Sequence, residues 1–86
     1  MEPGKRTETA MEDLISFLVR NLVEDPGAVE VRRAAGEKAD LYEIRVGSAD
    51  QGRLIGKHGR TIRSVRSVVS AAAARQGKRA LVEVLE

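Results

Sequence analysis

Cysteine is absent from the chain, which excludes disulfides and thiolate-held metal centres. Histidine occurs once, at His58, with no patterned carboxylate partner, so a metal or catalytic role has nothing to build on. No apolar run approaches the roughly 18 residues that cross a bilayer. Glu2–Thr9 is polar where a secretory signal would be apolar, and the expectation is a cytoplasmic protein with no membrane partner. Aromatic residues are almost missing: Phe17 and Tyr42 are the only rings. Modules that stack bases on several rings, such as an RNP-type sheet or a cold-shock barrel, are thereby excluded. Any polyanion would have to be held by backbone, charge and aliphatic surface.

What is present is one small domain of 86 residues, 42% hydrophobic and 33% charged, a globular composition. A chain of this size buries only about 60% of its unfolded surface, so the expectation is a monomer that is marginal or helped by a partner. The formal net charge of +2 hides an asymmetry. Residues 1–50 carry seven basic and eleven acidic side chains, a balance of −4, and residues 51–86 carry eight and two, a balance of +6. From Arg53 to Arg66 there are five cations (Arg53, Lys57, Arg60, Arg63 and Arg66), His58, and no acid. Such a run reads either as a polyanion-facing surface or as a solvated helix face.

Met1–Thr9 has no periodic pattern and reads as a flexible tail, with the domain spanning 10–86. From Ala10, the residues Met11, Leu14, Ile15, Leu18 and Leu22 follow one helical stripe. Thr9 and Glu12 have capping-box spacing, and Asp25-Pro26-Gly27 ends the helix. Phe17, Val19 and Val23 fall off the stripe, as flanking core or as a contact surface for another chain. Val29–Arg32 and Tyr42–Val46 alternate apolar and polar around a turn containing Gly36, which predicts an antiparallel hairpin. A short helix opens at Ser48-Ala49-Asp50-Gln51, is interrupted by Gly56-Lys57-His58-Gly59, and gives way to a longer helix over Arg60–Gln76. That second helix buries Ile62, Val65, Val69, Ala72 and Ala73, and Gly77 stands at its left-handed cap position. Arg79–Leu85 reads as a last strand. The order is α-β-β-α-α-β, an α+β fold with a three-stranded sheet covered on one face by three helices.

The Gly56–Gly59 interruption leaves the amides of the following helix pointing into a loop, where they and the helix dipole favour an anion. Glycines at both corners let a sugar-phosphate chain come close. Lys57 and Arg60 add positive charge, and Ile55 and Ile62 line an apolar strip beside it, with burial in the core as the alternative for both.

The eight residues Ile55-Gly56-Lys57-His58-Gly59-Arg60-Thr61-Ile62 match the I-G-x-x-G-x-x-I signature of KH domains. Together with the element order, they resemble the type II, bacterial arrangement of that fold. Over about Ala10–Glu86 the chain is similar to the small single-KH-domain KhpA (YlqC-like) family. The resemblance implies non-enzymatic binding of single-stranded RNA, about four nucleotides clamped by the GxxG loop. It further implies the part of an RNA chaperone or post-transcriptional regulator. Carried over by position, Gly56 and Gly59 give close approach, Lys57 and His58 flank phosphates, and Ile55 and Ile62 line the groove. Either Ile44 or Val46 would form the opposite wall. Arg60, Arg63 and, secondarily, Arg53 complete the candidate site. The family also implies self-pairing into a homodimer and pairing with a larger Jag/KhpB-type KH protein. No cofactor is implied.

Two other readings compete. Gly52–His58 has a superficial likeness to a phosphate-binding P-loop, but its glycines are four apart rather than five and His58 stands where a Mg²⁺-binding hydroxyl is required. The other is a protein-interaction module, favoured by the Ala71–Ala74 run and by Phe17, in which RNA binding is secondary.

Overall fold

The helix period beginning at Met11 belongs to a longer helix than its apolar stripe covers. In the computed structural model, which describes residues 3–56 and 60–85 with side chains from Ala10 onward, helix α1 runs Pro3–Arg20. The helix therefore starts inside the stretch read as a flexible tail, and Thr9 lies within it rather than capping it. Lys5, Arg6 and Glu8 are good helix formers without any apolar stripe, and a proline fits the first helical position. The far end is earlier than expected. Asn21 ends the helix by donating both its amide N–H (3.3 Å) and its side-chain Nδ2 (2.7 Å) to the Phe17 carbonyl. Leu22 is consequently exposed, and Pro26–Ala28 forms a separate 3-10 turn.

The buried stripe of α1 is Met11, Ile15 and Val19, with Leu14 and Val23 packed at its margin. Val19 is thus central core rather than an off-stripe position, because a four-residue spacing tracks the face that meets α3 and β1. Phe17 points the other way and is 66% exposed, so it is not flanking core.

Strands β1 (Glu30–Ala34) and β2 (Asp40–Arg45) form the antiparallel hairpin, with Val31 opposite Ile44 and Arg33 opposite Tyr42. Helices α2 (Ser48–Ile55) and α3 (Arg60–Arg75) follow, and β3 (Ala80–Val84) then pairs parallel to β2, giving sheet order β1-β2-β3. A parallel neighbour cannot be reached through a tight turn, so α2 and α3 are the crossover connection. Tyr42, Ile44, Val46 and Val82 face Ile15, Val19, Val65, Val69 and Ala73 in one core. The opposite sheet face is open, with Arg32, Arg45, Leu81 and Glu83 in solvent. α1 packs on β1 and α3 on β3, whereas α2 leans chiefly on α3. The mixed α+β architecture and its element order are those read from the sequence.

Gly77 ends α3 in the left-handed region (φ 70°). The Lys78 amide donates to the Ala73 carbonyl at 3.0 Å and the Gly77 amide to Ala74 at 3.0 Å, the paired bonds of a Schellman cap.

Candidate nucleic-acid interface

Helix α2 is only eight residues long and buries two side chains, Asp50 and Leu54, one turn apart on one face. Leu54 is wholly enclosed in the core. Its neighbour Ile55 is turned out, 44% exposed, at the last helical position. Gly56 then reverses the chain: its amide donates to the Gly52 carbonyl at 2.8 Å while its backbone sits at φ 67°. A Cβ there would stand 2.8 Å from Thr61 Oγ1, so the two sides of the bend approach each other closely enough to require glycine. Thr61 was not singled out by sequence reasoning, and nothing in its spacing marks it as the residue that seals the bend.

Helix α3 starts at Arg60, and a helix start carries amides with no intrahelical acceptor. Arg60 and Arg63 are exposed on its first turns. Ser64 Oγ donates to the Arg60 carbonyl at 3.1 Å. Ile62 is core at 5% exposure, so of the two isoleucines flanking the bend only Ile55 presents surface. The reason is phase: Ile62 shares the stripe of Val65, Val69 and Ala73, which faces the sheet. Lys57, His58 and Gly59 lie outside the described residues.

Ile44 and Val46 depart from expectation together. Ile44 on β2 and Val46 just past its end are core residues, 0% and 5% exposed, and neither offers an opposite wall. Side chains two apart along an extended run share a face, and these two join the same core cluster.

Arg53 is exposed but engaged. Its Nη2 lies 3.2 Å from Glu24 Oε1 and its Nε 3.5 Å from Asp50 Oδ1. Arg66 turns away from the bend and donates from Nε to the Val82 carbonyl at 3.1 Å, on the strand at the edge of the sheet. The geometry therefore separates the basic run into Arg60 and Arg63 beside the bend, Arg53 held by carboxylates, and Arg66 serving β3.

Among the described residues the buried charged side chain is Asp50, which no local pattern marks out. It is 2% exposed, and its two oxygens accept the backbone amides of Glu24 and Asp25, each at 3.0 Å. Although it stands in the first turn of a short helix, these amide partners lie 25 and 26 residues away. Among the described residues no cluster of three or more histidine, cysteine or acidic side chains could hold a metal ion. Among them too, no helix is long and apolar enough to cross a membrane.

Comparison with known proteins agrees with this architecture. The family model described as KhpA/KhpB, KH domain, matches residues 12–84. The RNA-binding protein KhpA of Treponema pallidum is 40% identical over 78 residues, covering 91% of this chain and 98% of its own. The protein of the same name from Clostridium perfringens is 36% identical over 75 residues, 87% of this chain and 100% of its own. That of Chlamydia caviae is 33% identical over 76 residues, 88% and 97% respectively. With a matching element order, a glycine-dependent bend between α2 and α3 and these relatives along most of its length, the chain belongs to the KhpA/KhpB KH-domain family.

Proposed function

We propose that this chain is a non-enzymatic, cytoplasmic single-stranded RNA-binding protein, and that the α2–α3 bend is its grip. Phosphates would lie along Gly56–Gly59 and the first amides of α3, with Arg60 and Arg63 beside them and Lys57 and His58 flanking. Bases would rest on the exposed carbon of Ile55. The reading is carried by one observation: Gly56 holds a left-handed conformation with no room for a Cβ, just ahead of a helix start and within an acid-free basic run. Relatives named as RNA-binding proteins support it. A site of about four nucleotides gives modest affinity and little base discrimination. A homodimer, or pairing with a larger KhpB-type KH protein, would raise avidity through effective concentration. Work as an RNA chaperone or post-transcriptional regulator fits such a grip.

The deciding variant is Gly59→Asp, which places a carboxylate in the proposed phosphate path. RNA affinity measured by fluorescence anisotropy is expected to fall at least about tenfold, with the oligomer size unchanged by light scattering. In the parent protein, affinity should fall with salt at a log–log slope of about −0.7 per phosphate neutralised. Undiminished binding by Gly59→Asp favours the second reading, an interaction module with RNA binding secondary. Phe17 (66% exposed) and Val68 (45% exposed) give that reading its apolar surface.

A further inference from the structure

Helix α2 carries the bend but has little surface of its own with which to hold a fixed place. Its two buried side chains, Leu54 and Asp50, fasten it differently. Leu54 contributes contact area, which resists removal but sets orientation weakly. Asp50 contributes two directed bonds: Oδ1 to the Glu24 amide and Oδ2 to the Asp25 amide, both at 3.0 Å. A carboxylate held at both oxygens by adjacent amides cannot rotate or slide without losing one of them. Arg53, one turn further along α2, closes the arrangement by bridging Asp50 Oδ1 and Glu24 Oε1. The segment after α1 and the helix leading into Gly56 are thus clipped together by directed bonds.

We propose that Asp50 is a positioning residue for the nucleic-acid grip: by chelating the Glu24 and Asp25 amides it fixes the placement of α2, and hence of the Gly56 bend relative to α3. The proposal rests on the reading that this bend binds RNA. Binding and clip must then be linked reciprocally, since a ligand that needs one placement of α2 stabilises whatever holds that placement.

The test compares Asp50→Asn with Met11→Ala. The asparagine keeps the shape but sets an NH₂ against one backbone donor. Met11 packs near Ala73 and Gln76, at the far end of α3 from the bend, and its truncation destabilises the core without touching α2. Anisotropy titrations use a short fluorescent single-stranded RNA of mixed sequence, at a temperature where circular dichroism shows all three proteins folded. Asp50→Asn is expected to bind about tenfold more weakly and Met11→Ala equally to the parent. In parallel, hydrogen exchange on the parent protein, read by NMR, needs no variant to fold. Saturating RNA is expected to slow exchange of the Glu24 and Asp25 amides by about the same factor, leaving the Gly36 amide, held by Asp40 in the hairpin, unaltered. Unchanged Glu24 and Asp25 exchange in an RNA-saturated protein overturns the proposal, as does parent-like affinity in folded Asp50→Asn. Failure of the parent to bind the RNA at all sinks the reading of the bend instead.

Discussion

Two carboxylates in this small domain are dressed in nearly the same way and do different things. Asp40, at the start of β2, accepts the Gly36 amide at 3.3 Å and the Arg33 guanidinium at 3.1 Å, partners four and seven residues away. Asp50, at the start of α2, accepts two amides from 25 and 26 residues away and is approached by Arg53. The first closes the hairpin turn on itself, a local task that any stable hairpin requires. The second ties together parts of the chain that share no other sequence neighbourhood. A short-range clasp sets the shape of one element, whereas a long-range one sets where one element stands relative to another. Only the latter can govern the geometry of the α2–α3 bend.

Removing the two side chains should separate these tasks. Asp50→Ala strands two backbone donors and is expected to lower unfolding free energy by about 3 kcal/mol in urea titrations. Asp40→Ala loses one backbone and one guanidinium partner in a more accessible place, for about 1.5 kcal/mol, with RNA affinity unchanged. An equal effect of both on affinity would erase the distinction.

Acid sharpens the contrast next. Burial would raise the Asp40 carboxyl, but the Gly36 amide, the Arg33 hydrogen bond and the charges of Arg33 and Lys78 outweigh it and hold the group below its ordinary value. A carboxyl depressed in the folded state stabilises fully above its unfolded value and loses that contribution as pH falls through the folded one. Thermal midpoints are therefore expected to drop below about pH 4, and less steeply in Asp40→Asn. Neighbouring Tyr42 moves oppositely: burial first, then Asp40, pushes its hydroxyl above the usual value, so it stays neutral. The smallest effect belongs to the outer partner of the Asp50 clip. Glu24 is 73% exposed, and Glu24→Gln is expected to change stability by less than about 0.5 kcal/mol. A larger loss in urea titration would mean that Arg53, not the two amides, is the main tie.

Periodicity made most of the fold legible. The antiparallel hairpin, the Ile62–Ala73 stripe of α3 and the Gly77 cap follow from spacing and glycine alone, whereas the register that sets Val31 against Ile44 and Arg33 against Tyr42 does not. Boundaries governed by polar residues were less visible. A helix start at Pro3 without a stripe carries no hydrophobic signal, and Asn21 ends α1 four residues ahead of the Asp25-Pro26 stop. Within the candidate site, Gly56 and Ile55 could be read from the signature. The burial of Ile62, Ile44 and Val46 required knowing which face the sheet covers. The partners of Asp50 and the approach of Thr61 to Gly56 are products of tertiary packing, and no local pattern announces either.

The parallel pairing of β2 with β3 has a kinetic meaning as well. Because the connection between those strands contains α2, the bend and α3, the sheet closes only when Ala80–Val84, which follows all of these, docks beside β2. Until then the flank of β2 that β3 will occupy is an unpaired, sticky margin. The three-stranded sheet is therefore complete only once Ala80–Val84 has been synthesised, and a chain cut short before Ala80 is expected to be prone to clumping.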